Sequence, residues 1–206
     1  MITGNDLCPE LKFDEEAHVY TVGDDEYRSV STVISDFGFG GKSYEGIPSW
    51  ALRLGTLRHY VTELDDLGVL EESTVHERLV PALNAWRKWR DDNPLAKPIA
   101  IEAQVADSKL LIAGTIDRVF EYEDEIWVVD IKGQSNSPTY QLQITAYARM
   151  WEALTKQKVN KCLTVHLGKG TYKERELQRA DDDWLAIATT SKLMRECAYG
   201  RRTNGQ

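Results

Sequence analysis

The stretch GTIDRVFEYEDEIWVVDIKG, residues 114–133, decides how the rest of the chain reads. Apolar runs flank the acidic segment EYEDE, so the stretch predicts two antiparallel strands joined by a turn near Asp124. In a strand, residues two apart point to the same side. Asp130 and Lys132 therefore project together from the end of the second strand, while Ile131 faces the other layer. Asp117 lies on the preceding strand, and the hairpin brings it within reach of Asp130. Two carboxylates held close repel, and one takes up a proton unless a cation sits between them. Carboxylate oxygens suit Mg2+ or Mn2+, which also bind phosphate oxygens. Lys132 would then stand beside a scissile phosphate, stabilising developing charge or orienting the attacking water. An Asp-x-Lys triplet alone is better explained by a surface hairpin with a cross-strand ion pair, so the reading rests on what accompanies it.

Working outward, residues 98–106, 109–121 and 125–132 read as three successive strands. A helix follows from about Pro138 to Leu154, then strands near 160–167 and 171–178, then a helix from about Asp181 to Ala198. Asp181 to Asp183 suit a helix N-terminus, and the tail GRRTNGQ reads as frayed. Upstream, residues 17–34 read as a β-hairpin turning near Gly23-Asp24, with Ser31 or Ser35 capping a short turn. The four glycines and one proline of residues 38–48 predict a loop. Trp50, Leu54, Leu57, Val61 and Leu64 recur at helical spacing between a cap at Ser49 and a stop at Gly68. A second helix is expected from about Ser73 to Arg90, kinked or split by Pro81 and ended by Asn93-Pro94. This order of elements predicts an α/β fold: a central mixed β-sheet flanked by helices, with an N-terminal β-hairpin and helical region.

The 206 residues suit a single domain: 17–97 carry the hairpin and helices, 98–178 the core, 179–206 the last helix and tail. The composition, 42% apolar and 28% charged, is that of an ordinary globular protein. No apolar run approaches the roughly 18 residues of a membrane span, and MITGNDLCPELKFDEE lacks a secretory pattern, so no membrane partner is expected. Cys8, Cys162 and Cys197 read as free thiols in a reducing, cytoplasmic setting. Three cysteines cannot ligate an iron–sulfur cluster, and no pair has zinc spacing. A net charge of −8 argues against tight nonspecific DNA binding without metal, but not against metal-dependent chemistry, because a bound cation offsets clustered carboxylates.

Three features accompany the Asp-x-Lys strand. Gly55 and His59 share a helix face, where glycine allows a close approach and His59 offers an imidazole. Gln143 and Tyr147 are similarly spaced on the helix after the strand. Glu102 interrupts the apolar run IAIEAQV, where a charge needs a partner; an exposed strand face would also explain it. Basic clusters lie at Arg53 with Arg58, at Arg87-Lys88 with Arg90, at Lys156, Lys158 and Lys161, and at Lys169, Lys173 and Arg175. Cys162 and His166 lack a third member for a nucleophilic triad, His18 and His76 lack visible partners, and Trp86 and Trp89 read as core aromatics.

The order GTLRH (55–59), Glu102, GTID (114–117), DIK (130–132) and QITAY (143–147) resembles the PD-(D/E)XK nuclease superfamily, most closely its RecB-type branch of phage-type and Cas-associated exonucleases. The lead-in HVYTV…YRSVSTVI is also similar to phage members. The resemblance spans roughly residues 17–165 and implies a restriction-endonuclease-like core. It implies that His59, Asp117, Asp130 and the Ile131 carbonyl hold a divalent metal, Mg2+ with Mn2+ able to substitute. It makes Lys132 the catalytic lysine, has Glu102 assist in placing metal or water, and has Gln143 and Tyr147 hold the DNA strand. Gly133-Gln134 departs from the Thr or Ser that many relatives place after the lysine. The implied activity is metal-dependent DNA hydrolysis, an exonuclease on linear ends in recombination or repair, in a bacterial or phage-infected cell. A recombinase or single-strand-binding protein would be its partner, and a homo-oligomer would give processivity. A noncatalytic DNA-binding or interaction module and a structure-specific endonuclease remain the alternatives.

Overall fold

A computed structural model describes residues 1–14, 17, 19–38, 49–133 and 136–203; of residues 49–52 and 199–203 only the backbone is described. Among the described residues, nine strands form one sheet: β1 (Ile2–Thr3), β2 (Leu11–Asp14), β3 (Val19–Val22), β4 (Asp25–Ser29), β5 (Ala96–Asp107), β6 (Ile112–Tyr122), β7 (Glu125–Lys132), β8 (Val159–Leu167) and β9 (Tyr172–Glu176). The α-helices among these residues are α1 (Val30–Asp36), α2 (Ser49–Asp66), α3 (Val80–Asp92), α4 (Thr139–Thr155) and α5 (Asp181–Thr203). The sheet is mixed. β6 pairs antiparallel with β5 and β7 and parallel with β4, while β7 and β8 run parallel across the α4 crossover. This is the expected mixed sheet flanked by helices.

Alternation along β7 divides the core into two layers. Val128 and Ile126 pack with α1, α4 and α5, and Trp127, Val129 and Ile131 pack with α3. Ile131 thus faces the layer opposite Asp130, as its parity requires. Trp86 and Trp89 are fully buried, stacked 5.0 Å apart against Phe120, which places them in the core as expected.

Three local expectations are corrected. Residues 30–36 form α1 rather than the end of a strand, and its cap is Ser29, whose hydroxyl accepts the Thr32 N–H, not Ser31 or Ser35. Pro81 neither kinks nor splits a long helix. Residues 72–74 form a separate 3-10 turn, and α3 starts at Val80 with Pro81 in its first turn, where a missing N–H has no cost. Leu57 does not join the buried stripe of α2; it is exposed, while Val61 is buried against Leu79 and Leu83. The strands β1 and β2 were not anticipated. Residues 39–48, His18 and Gln134 lie outside the described residues, as does the cap at Ser49, whose side chain is not described.

Candidate active site

The β6–β7 ladder runs from Tyr122 and Glu125 as far as Arg118 and Val129, and there the strands stop pairing. One residue further along each strand stand Asp117 and Asp130. Beyond the last main-chain pair, the Asp117 carboxylate takes the place of a backbone acceptor: its Oδ2 receives the Ile131 N–H at 2.6 Å. The same Oδ2 lies 3.4 Å from His59 Nδ1 on α2. Glu102 reaches the group from β5. It is the residue of that strand with a left-handed backbone, φ 46°, a conformation that costs a non-glycine residue about 1 kcal/mol or more. Ala100 and Ala103 pack in one layer although three residues apart, a parity that a regular strand forbids, and Glu102 with its left-handed backbone lies between them. Ligand atoms of His59, Glu102 and Asp117 all lie within 4.8 Å of one another.

Asp130 is not one of these three. It is almost fully buried, and its Oδ2 lies 2.6 Å from Lys132 Nζ, so the two form a buried ion pair. Lys132 donates to Gln143 Oε1 at 2.9 Å, and Gln143 donates to the Tyr147 hydroxyl at 3.2 Å. The Tyr140 ring lies 4.7 Å from the ammonium. Gln143 therefore positions Lys132, and Tyr147, buried, covers Gly114 of β6: a Cβ there would come within 2.7 Å of the ring. Around Gly55 no described atom lies within 4 Å of a Cβ, so that glycine faces open space.

The charges are set by burial and by neighbours. Burial raises Asp130 to about 6, opposed by Lys132 and helped by Asp117. Burial and then repulsion by Asp117 raise Glu102 to about 7 despite Arg118. Burial also pushes Asp117 upward, but the charge and hydrogen bond of His59, with Lys132 and the Ile131 N–H, hold it at about 2. Burial lowers His59, yet Asp117 outweighs it and carries the ring to about 9; the ring keeps a third of its surface open, so its desolvation is partial. Lys132 is lowered by burial but held above its ordinary range by Asp130 and Asp117, so it remains an ammonium. Two carboxylates and one imidazole nitrogen, with the Asp130 carboxylate beside them, suit a hard divalent cation.

A family profile for the PD-(D/E)XK nuclease superfamily matches residues 53–202, from α2 to α5 and across every residue of this cluster. The chain belongs to the PD-(D/E)XK nuclease superfamily. Among solved structures, this nuclease is similar to an alkaline exonuclease from Laribacter hongkongensis at 14% identity, with a TM-score of 0.47 and coverage of 86% of this chain and 93% of that one. It is also similar to the protein SSO0001 at 12% identity, with a TM-score of 0.38 and coverage of 84% and 78%. No curated protein matches.

The nuclease site has a support that sequence reading missed. Arg118, fully buried, donates to Asp66 at 2.7 Å, Glu102 at 2.8 Å, the Asp117 carbonyl at 2.6 Å and Thr62 at 3.3 Å. It thereby ties the end of α2 to β5 and β6. The available signal was a cation inside the apolar strand directly after Asp117, which demands a buried carboxylate partner. His166 Nδ1–H donates to the Gly133 carbonyl at 3.0 Å and its Nε2 meets the Thr164 hydroxyl at 3.2 Å, and with Cys162 it forms no triad among the described residues.

Proposed function

We propose that this chain is a Mg2+-dependent deoxyribonuclease, an exonuclease of the RecB-type branch acting on linear DNA ends in recombination or repair. The observation that carries the reading is the meeting of His59, Glu102 and Asp117 beside the Asp130–Lys132 pair at the open end of the β6–β7 ladder. His59, Asp117, Asp130 and the Ile131 carbonyl would hold the metal, with Glu102 turned toward it. A divalent cation, when bound, offsets the clustered negative charge and polarises a phosphodiester for attack by water. The Ile131 N–H fixes the Asp117 carboxylate, and the α4 glutamine fixes the lysine. As an ammonium, Lys132 cannot accept a proton; it stabilises the charge that develops on the phosphate oxygens. Gln143 and Tyr147 contribute by holding that ammonium in place at the DNA strand.

The test compares end-labelled linear duplex with closed circular DNA, each with Mg2+, Mn2+ or chelator. Metal-dependent loss of the linear substrate alone is expected. Cleavage of the circle would move the reading to an endonuclease, and retention of both substrates by folded protein would contradict the enzyme.

A further inference from the structure

A second feature borders the site and has no part in the chemistry above. A cavity of about 630 Å3 opens between α2, the first turn of α3 and the β8–β9 turn. Arg58, Arg78 and Lys169 line it, and no acidic side chain does. In a chain of net charge −8 that is a local reversal of sign. None of the three cations forms an ion pair with a described carboxylate.

Arg58 links this cavity to the catalytic strand. It precedes His59 on α2, and a guanidinium nitrogen lies 3.0 Å from where a Cβ at Gly133 would stand, directly after Lys132. Its Nε is buried with no hydrogen-bond partner, a state that native proteins rarely leave without a ligand, ion or water. Lys169 is held in place by its turn. Gly168 N–H donates to the Thr171 carbonyl at 2.7 Å, and Gly170 N–H donates to the Pro81 carbonyl at 3.0 Å, which fastens the turn to α3. Lys169 also borders a groove lined by Lys173, Arg175 and Glu174, the last accepting from the Trp89 indole, so the balance there stays positive past the turn.

We infer that the Arg58–Arg78–Lys169 cavity is a phosphate subsite that takes the substrate phosphate neighbouring the one presented to Lys132. This rests on the nuclease reading. An arginine fork matches the phosphate oxygens, and the lysine adds a point charge. An internal phosphodiester and a terminal phosphate offer the same chemistry.

The experiment uses the full chain with chelator, so binding is read without hydrolysis. Anisotropy of a labelled single-stranded oligonucleotide with a 5′-phosphate, a 3′-phosphate or hydroxyl ends is followed against salt. Wild type is compared with Arg58→Ala, Arg58→Lys, Lys169→Ala and Lys12→Ala, an exposed lysine on β2. Arg58→Ala and Lys169→Ala are each expected to weaken binding roughly tenfold and to flatten the log–log salt slope by about 0.7. Arg58→Lys restores the slope but not the full affinity, and Lys12→Ala changes neither. Equal losses for all ends assign the cavity to an internal phosphodiester; losses confined to one phosphorylated end assign it to that terminus. Unchanged affinity and slope in folded Arg58→Ala and Lys169→Ala would overturn the subsite. If Arg58→Ala melts early, Lys169→Ala on its exposed turn decides. Wild type that binds through these cations but never hydrolyses with metal would remove the chemistry and keep the subsite. Hydrolysis with indifferent variants would do the reverse.

Discussion

Burial alone would strip the charge from every group at this site, and neighbours decide which groups keep it. Glu102, Asp130 and His59 are all raised, so each contributes stability that is full below its ordinary pKa and is lost as pH rises through its folded value, about 7, about 6 and about 9. Asp117, held low, contributes in the opposite sense and loses its share only as pH falls toward 2. The melting temperature in chelator should therefore fall between pH 5 and 9. Because ligands must shed protons to bind a cation, Mn2+ affinity should rise over the same range, with protons released. Calorimetry in buffers of different ionisation heat reads this directly, and affinity independent of pH would contradict it. Arg118 answers to the same logic. Removing it leaves Glu102 without its cation and Asp66, almost fully buried, with only the more distant Arg90 at 3.6 Å, so Arg118→Met should cost about 3 kcal/mol in urea unfolding. A loss under about 1 kcal/mol would show that the network is not what holds α2 to the sheet.

At the scale of elements, small residues set how closely the parts approach. Gly114 of β6 lets the Tyr147 ring lie against the strand, and through Gln143 that contact reaches Lys132. Gly114→Ala should destabilise the fold by about 1–3 kcal/mol and lower the hydrolysis rate as well; a stable and fully active variant would contradict that chain of contacts. Pro81 gives a test of opposite sign. At the start of α3 its fixed φ restricts the unfolded chain at no native cost, so Pro81→Ala should lose about 0.4–1 kcal/mol. A gain near 3 kcal/mol would mean that the proline breaks a longer helix. The β6–β7 hairpin, α4 and the strand β8 were legible because their apolar periods are long and their turns polar. The start of α1 was not. Its run VSTVIS is β-branched and mimics a strand, and only the Ser29 hydroxyl on the Thr32 N–H decides for a helix. Glu102 could not be aimed from sequence, because its direction depends on one left-handed backbone angle. Arg118 escaped notice because its partners lie 52 and 16 residues away and meet only once the sheet forms.

Across the whole molecule, the fold gathers a histidine from the first third of the chain and carboxylates from three neighbouring strands at one open end of a ladder. The five-element order made this set readable before any geometry was known, since each element is weak alone and their sequence is not. The acidic balance of the chain is compatible with a polyanionic substrate because its carboxylates are drawn into a metal-suited centre and cations border that centre through Arg58 and Lys169. One measurement tests this account most directly: single-turnover hydrolysis of end-labelled linear duplex by wild type and Lys132→Ala, at saturating Mg2+ and with folding matched by melting curves. The account predicts a loss of at least about 100-fold in rate, with DNA binding in chelator retained. Equal rates for the two proteins would contradict it.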